Sequence, residues 1–567
     1  MHPVGAPDET PSIHAAAGRL IIRTADGVVA YGDEPRAGGG RRAMTAIMMW
    51  PSGRARMGEA GEGTVTESFP LGGWPGALQP SRPPRVGLRV AGGVAASIAL
   101  VAAGVAGAVV LPGDEPPHPD RWDPRLVELV DFVEAERGLS FEHPIYVDFL
   151  TPEEYTARTT VDADELTEEE RSSLDESLAL LRALGLASGE VDLFDSMNEL
   201  SDSGTLAFYD TAFESASVRG TELDVATRVS VVHELTHALQ DQHFDLDAMA
   251  DEAGEADGTS YDAYLGLIEG DATRIEDAYV DTLSDAELDD YLRQYGDVAD
   301  ASDNELAGVP AVLQAFQATP YALGPALLAL LAEDGGNRAV DEAFRDPPTT
   351  GEHLLEPLSY LDRDQPADVD PPSLPDDVDE PTDEGDMSAV DLYLILGARI
   401  DPFEALTAAD GWGGSPFVAY EDSGDGRDGP DGRTCVRIRA VGDTAEDSAQ
   451  LYDAFERWVA AAPDEAGATL SGDRAGPAVL QSCDPGAAAA APGEDRAFDL
   501  LTVPSVRSIL MLNEMQAGAE PADAWEAGDC IVRRFTLDEI VAANGPDPIP
   551  GFEEQLLDAR AACLAGP

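Results

Sequence analysis

The run VVHELTHAL at residues 231–239 contains two histidines four residues apart and a glutamate directly after the first. On an α-helix, His233 and His237 lie one above the other, so both imidazoles can bind one metal ion. Glu234 lies beside them, within reach of a water on that ion but not of the ion itself. The pattern predicts a catalytic zinc site with Glu234 as general base, against the alternative of two histidines on an ordinary helix.

A catalytic zinc site uses a third protein ligand and keeps one position for water. His243 follows His233 by ten residues, the spacing seen where the chain turns sharply at a glycine and returns a third histidine to the metal. Gln240 stands at that glycine position, and its side chain disfavours a left-handed turn. We therefore expect His243 to support a ligand or the helix end, and it remains the alternative third ligand.

Glu269 is the other candidate for the third ligand. It lies in a run whose apolar residues recur at helical spacing, which predicts a second amphipathic helix with Glu269 at the border of the buried stripe. Glycine at position 270 costs such a helix about 1 kcal/mol relative to alanine. We interpret Gly270 as a point of close approach to the histidine-bearing helix.

These motifs resemble those of gluzincin zinc metallopeptidases, the thermolysin-like superfamily. The chain is more closely similar to a group of uncharacterised exported bacterial and archaeal proteins that carry HELTHALQDQHF, found here at 233–244. Their F-Y-D strand and E-G-D-A helix correspond to residues 208–210 and 269–272, and a P-P-T-S-T-E-Q-like segment corresponds to 347–353. The likeness extends from about Arg125 to Trp412.

The resemblance implies an α+β, zincin-like metallopeptidase domain with a small mixed sheet and active-site helices. It implies one catalytic Zn²⁺ bound by His233, His237 and Glu269, with Glu234 as base and proton shuttle. In gluzincins the strand at 208–210 pairs with the substrate backbone, whereas an ordinary core hairpin is the competing interpretation here.

Some positions depart from the motifs of that group. Gly351 and His353 stand where threonine and glutamine are expected, and Glu356 stands where a histidine is expected. These changes leave the metal motif intact but leave any role of the 347–353 segment open. Because gluzincins use a downstream Tyr or His to stabilise the oxyanion, Tyr321 and His353 are candidates for that role.

A stretch of 22 residues, 90–111, contains only Ala, Val, Gly, Ile, Leu and one Ser. Arginines precede it and acidic residues follow it, which predicts a single membrane span with a cytoplasmic N-terminus and the catalytic domain outside. The alternative is a cleaved signal peptide and a secreted protein, in particular if translation starts at Met48 or Met57.

The chain is strongly acidic, with 109 Asp and Glu against 35 basic residues. The basic residues are all Arg, and residues 1–111 are nearly balanced, so the excess of negative charge lies after the predicted span. This charge makes nucleic acid and anionic lipid surfaces poor partners for the exported part. The expected partners are a peptide or protein substrate and the membrane.

The domain organisation follows from shifts in composition. We predict a disordered cytoplasmic tail at 1–85, a transmembrane signal anchor at 86–111, and the metallopeptidase domain at 112–361. An acidic, proline-rich linker follows at 362–387, and a small C-terminal α+β domain occupies 388–567. Within these domains the patterns predict helices at 125–137, 166–186 and 445–461, and strands at 143–150, 434–441, 468–472 and 478–483.

Four cysteines lie in the C-terminal region: Cys435, Cys483, Cys530 and Cys563. An even number in an exported region indicates two disulfides, for which three pairings can be drawn. We expect the sequential pairing. The acidic loop 422–431 was considered as a Ca²⁺ site, but a solvated loop is preferred because no glutamate closes it at EF-hand spacing.

Two functions are consistent with the sequence. The first is a membrane-anchored, extracytoplasmic zinc endopeptidase that hydrolyses peptide bonds with a zinc-activated water. The second is a non-catalytic envelope or binding protein that keeps a zincin scaffold, against which Glu234 counts because a purely structural zinc site needs no base.

Overall fold

The computed structural model describes residues 117–203, 205–256, 258–422, 432–489, 493, 496–543 and 549–565, together with three N-terminal strands. These strands form an antiparallel sheet of order β1 (Ser12–Ala16), β2 (Arg19–Thr24) and β3 (Gly27–Ala30). They lie in the segment for which a disordered tail is predicted. The predicted membrane span at 86–111 lies outside the described residues.

The region that carries the HExxH motif is mainly helical, with one small sheet. Its helices are α1 (Val127–Arg137), α2 (Pro152–Thr159), α3 (Glu168–Leu184), α4 (Leu193–Asp202), α5 (Val225–Phe244), α6 (Leu246–Ala256), α7 (Gly258–Val280), α8 (Asp285–Glu305), α9 (Ala311–Gly335), α10 (Asn337–Arg345), α11 (Glu352–Leu355) and α12 (Pro357–Asp362). Short 3₁₀ turns lie at Ala163–Glu165 and Leu306–Gly308.

The small sheet has three strands, β4 (Tyr146–Leu150), β5 (Ala207–Asp210) and β6 (Ser215–Arg219), in the order β4-β6-β5. The central strand β6 pairs with β4 in parallel and with β5 in an antiparallel hairpin. The predicted hairpin is therefore confirmed, and β5 is an edge strand of this mixed sheet.

The C-terminal region is built on an antiparallel sheet of order β11-β12-β10-β9-β7, with β8 pairing to β10. Its strands are β7 (Asp383–Asp386), β8 (Trp412–Gly414), β9 (Pro416–Asp422), β10 (Arg433–Gly442), β11 (Thr469–Gly472) and β12 (Ala478–Cys483). Its helices are α13 (Ala389–Gly397), α14 (Pro402–Asp410), α15 (Ala445–Ala461), α16 (Ala497–Leu500), α17 (Thr502–Gln516), α18 (Pro521–Val532), α19 (Leu537–Ala543) and α20 (Phe552–Leu564), with a 3₁₀ turn at Asp464–Ala466. The α+β fold class is confirmed.

Two of the four hydrophobic cores in the described residues are large. One surrounds α5 and includes Leu126 and Val130 from the start of α1 and Ile275 from α7. The other runs from Leu174 in α3 to Ala559 in α20, so that side chains on both sides of the predicted linker share it. The metal motif therefore lies in the smaller of these two cores. Helix α7 contributes side chains to both cores, so the motif is close to the boundary between them.

Both disulfides join neighbouring elements of the C-terminal region. Cys435 and Cys483 lie opposite each other on β10 and β12 and form one bond, and Cys530 of α18 forms the other with Cys563 of α20. The predicted sequential pairing is confirmed. The loop considered for calcium lies, beyond Asp422, outside the described residues.

Helix α9 packs against α7 at unusually close range. A Cβ on Gly270 would lie 2.6 Å from the carbonyl carbon of Gly324 and 2.7 Å from its oxygen. The prediction that Gly270 admits the histidine-bearing helix is therefore wrong, since its neighbour is α9. Of the helices in the described part of the chain, residues 311–333 of α9 alone are long and apolar enough to cross a membrane, and 72% of that window is buried in the fold.

Candidate metal centre

Helix α5 carries the HExxH motif through the middle of the smaller core. Its N-cap is Asp224, whose side chain accepts a hydrogen bond from the backbone N–H of Thr227 at 3.0 Å. The first helical turn therefore starts directly after Asp224. Each residue from 229 to 240 is buried, so the motif lies inside the protein rather than on a surface helix.

Three potential metal ligands converge between α5 and α7. One ligand atom each of His233, His237 and Glu269 lies within 4.8 Å of the others. Nε2 of His233 is 3.0 Å from Oε2 of Glu269, and Nε2 of His237 is 3.2 Å from the same oxygen. Three atoms at these separations can share one cation at ordinary zinc bond lengths of about 2.0–2.2 Å.

The other ring nitrogen of each histidine is held by a neighbouring side chain. Nδ1 of His233 is 3.0 Å from Oε2 of Glu276, and Nδ1 of His237 is 3.0 Å from Oε1 of Gln240. Because a carboxylate and an amide oxygen can only accept, each Nδ1 carries a proton, which leaves each Nε2 as the ring atom that would bind a metal ion. Metal-binding histidines are commonly oriented in this way.

Gln240 connects the metal cluster to a second buried network. Its amide group donates to the carbonyl oxygen of Ile268 at 3.0 Å and to Asp271 at 3.2 Å. Asp271 in turn accepts from Arg137 at 2.7 Å and from Arg274 at 2.8 Å. The network fixes α7 against α5 and α1, and with it the position of Glu269.

The electrostatics of the cluster favour a cation between its ligands. Burial alone would lower the pKa of His233, but hydrogen bonds to Glu269 and Glu276 outweigh it and raise the pKa to about 10. Burial opposes ionisation of Glu269 as well, yet the two histidines lower its pKa to about 2. Positive charge is stabilised at this point, as a proton or as a metal ion that takes its place.

Glu234 differs from every other charged group of the centre. Its side chain is 0% exposed, and neither carboxylate oxygen has a hydrogen-bond partner among the described residues. Burial is the main reason that its pKa rises to about 7, while His233 and His237 act in the opposite direction. An unpaired buried carboxylate is costly, and such groups are found where they have a chemical role.

The remaining candidates occupy different places. Tyr321 lies beside the ligands: its ring centroid is 6.3 Å from that of His233, and its hydroxyl hydrogen-bonds Glu269. His243 points away, since its Nε2 donates to the carbonyl oxygen of Ser140 at 2.8 Å. His353 has both nitrogens engaged by backbone, Nδ1 accepting from Thr349 and Nε2 donating to Asp364.

Two residues of the centre were missed at the sequence level. Gln240 was considered only as an obstacle to a turn, although its position three residues after His237 places both on one helix face. Glu276 lies seven residues after Glu269, two helical turns along α7, and that spacing is a usable signal. The donor set and three buried atoms that make no hydrogen bond within the described residues, Nε2 of His237 and both carboxylate oxygens of Glu234, fit a zinc ion with an adjacent base.

No family model matches this chain, and no curated protein or solved structure matches it either.

Proposed function

We propose that this chain is a zinc-dependent endopeptidase, anchored in the cytoplasmic membrane with its catalytic region outside. The observation that supports this function most directly is the pairing of a His, His, Glu cluster with Glu234, a buried carboxylate that makes no hydrogen bond within the described structure. A zinc site that only stabilises the fold has no use for such a group.

The residues divide the chemical work between them. His233, His237 and Glu269 would hold the ion, which supplies a Lewis acid that acidifies a water and polarises a peptide carbonyl. Glu234 takes the proton of that water and delivers it to the leaving amine. Glu234 is buried directly beside the ligands, where a base that serves a metal-bound water has to lie.

A strand beside the metal motif supports a peptide substrate. Strand β5 is an edge strand, and a peptide can pair with such an edge through its backbone.

Tyr321 stays neutral, because burial and the neighbouring Glu269 raise its pKa well above the usual value. It holds Glu269 by a hydrogen bond, which is a positioning role, and the oxyanion role stays a prediction.

The export of the chain rests on two observations. The apolar stretch at 90–111 has the length and flanking charges of a span whose C-terminal side is outside. The two disulfides of the C-terminal region are typical of an oxidising compartment.

The test uses the full-length chain in detergent, loaded with zinc and incubated with a peptide library. Wild type should bind one zinc and cleave peptides, and chelation should abolish cleavage. Glu234→Gln should keep the zinc and lose about 10²–10⁴-fold in rate. Glu252→Gln, an exposed residue of α6, is the matched control and should match wild type in both assays. Wild type without stoichiometric zinc, or full activity in Glu234→Gln, would contradict the proposal.

A second function is favoured by one observation. His233, Glu234 and His237 are each 0% exposed and Glu269 is 2% exposed, which suits a metal that stabilises a non-catalytic envelope protein. Under this alternative, wild type binds zinc and loses stability on chelation, but cleaves no member of the library. Cleavage that disappears with chelator and in Glu234→Gln would exclude it.

A further inference from the structure

A second group of acidic side chains lies apart from the zinc ligands. One carboxylate oxygen each of Glu352, Asp364 and Asp443 lies within 4.8 Å of the others. They come from three separate segments: the first residue of α11, the chain just after α12, and the turn between β10 and α15. The cluster therefore joins the helical region, the start of the acidic segment 362–387 and the C-terminal sheet.

Glu352 is the member that needs an explanation. Its residue is only 3% exposed, and among the described residues its carboxylate is influenced by burial and by other carboxylates, with no hydrogen-bond donor or ion-pair partner. Asp443 is exposed, so the cluster is open to solvent on that side. A buried carboxylate aimed at two others, without a donor of its own, is unfavourable unless a proton or a cation accompanies it.

The surroundings add more negative charge. Burial, then Asp443 and Asp364, then the more distant Glu356 and Asp410, raise the pKa of Glu352 to about 9. The neighbouring cation Arg507 does not compensate for them. Its guanidinium binds both oxygens of Asp410, at 2.6 Å and 2.7 Å, and the carbonyl oxygen of Leu355.

We propose that Glu352, Asp364 and Asp443 bind one calcium ion, which fastens the start of the acidic segment to the turn before α15. A ligand set of carboxylate oxygens alone selects a hard cation rather than zinc, which prefers nitrogen and sulfur. Oxygens up to 4.8 Å apart can share one ion at the Ca–O distance of about 2.3–2.6 Å. Water completes the coordination on the side of Asp443.

The test is a calcium titration of the zinc-loaded, full-length chain, followed by calorimetry and by thermal melting at 0.15 M salt. Wild type should show one saturable site, with a dissociation constant of about 10⁻⁴–10⁻³ M as in other extracellular calcium sites. Glu352→Gln and Asp443→Asn should bind calcium about tenfold more weakly or not at all. Glu465→Gln removes the same charge from an exposed position and should titrate like wild type.

The melting temperatures separate loss of the site from loss of the fold. Without calcium, Glu352→Gln should melt at or above the wild-type temperature, because it removes a buried carboxyl group that has no hydrogen-bond donor within the described structure. Calcium should raise the melting temperature of wild type, whereas Glu352→Gln should gain no more from calcium than from sodium chloride of the same ionic strength. Equal calcium affinity in Glu352→Gln and wild type, or no saturable site in wild type, would overturn the proposal. Zinc content and peptide cleavage, measured on the same samples, report separately on the zinc centre.

Discussion

Gly270→Ala tests whether the contact between α7 and α9 determines the position of Glu269, the proposed third zinc ligand. A Cβ at this position would lie 2.6 Å from the carbonyl carbon of Gly324, 2.7 Å from its oxygen and 2.8 Å from Cδ2 of Leu328. The first two atoms belong to the backbone, which cannot rotate away as a side chain can. Restoring an ordinary contact near 3.4 Å requires the helices to separate by about 0.8 Å.

The expected change in stability is a difference of two terms. Alanine in place of glycine favours the helix by about 1 kcal/mol, whereas overpacking a buried contact costs about 1–3 kcal/mol. We expect a cost near the upper end of that range, because the atoms that the new Cβ meets belong to the backbone. We expect a net loss of about 1–2 kcal/mol in the free energy of unfolding. Zinc affinity should fall about tenfold or more, because metal sites tolerate displacements of only about 0.5 Å.

The assay is thermal unfolding of the zinc-loaded, full-length chain, with a competitive zinc titration of the same preparation. Gly254→Ala in α6 is the matched control, since this glycine is exposed and a Cβ there would meet nothing within 4 Å. The control should melt at a higher temperature than wild type, with unchanged zinc affinity. A Gly270→Ala variant that behaves like the Gly254→Ala control would refute the reasoning.

Three further outcomes are expected. Glu276→Gln should weaken zinc binding about 10–100-fold in a competitive titration, because a neutral amide orients His233 less strongly than a carboxylate does. Cys530→Ser should lower stability by about 3–4 kcal/mol in reversible melts, since a bond spanning 33 residues restricts the unfolded chain. The pKa of Glu352 is about 9 in the folded chain and 4.5 in the unfolded chain. The folded state therefore binds this proton more tightly, and the resulting stability is fully present below pH 4.5 and is lost as the pH rises through 9. In calcium-free buffer the melting temperature should therefore fall less between pH 6 and pH 9 in Glu352→Gln than in wild type.

The sequence predicts the local parts of the candidate metal centre well. The spacing of His233 and His237 sets their common face, and the apolar stripe of α7 places Glu269 at its border, because both patterns depend only on helical geometry. The helix at 445–461 is confirmed at both ends, with Thr444 as its N-cap. Spacing patterns and helix caps of this kind can be recognised within one or two helical turns of the sequence.

Contacts between distant segments could not be predicted in the same way. Gly270 indicates that another helix packs closely against α7, but the sequence does not show whether that helix is α5 or α9. Arg137 precedes its partner Asp271 by 134 residues, and Glu352 precedes Asp443 by 91 residues. The pairing of such residues depends on which helices pack together, and this cannot be deduced from a single sequence.

The burial of Glu234 sets a condition on any catalytic role of this protein. A peptide carbonyl must come within about 3 Å of the water that Glu234 activates, yet Glu234 and both histidines are 0% exposed. Catalysis therefore requires an opening motion, and the edge strand β5, which packs on α5 through Tyr209 and Asp241, is the element beside which a peptide backbone can pair. The ligands themselves cannot be the part that moves, because Gln240, Asp271 and Arg137 tie them to one another. A closed, pre-arranged centre behind a movable edge would make opening, rather than proton transfer, the slow step of cleavage.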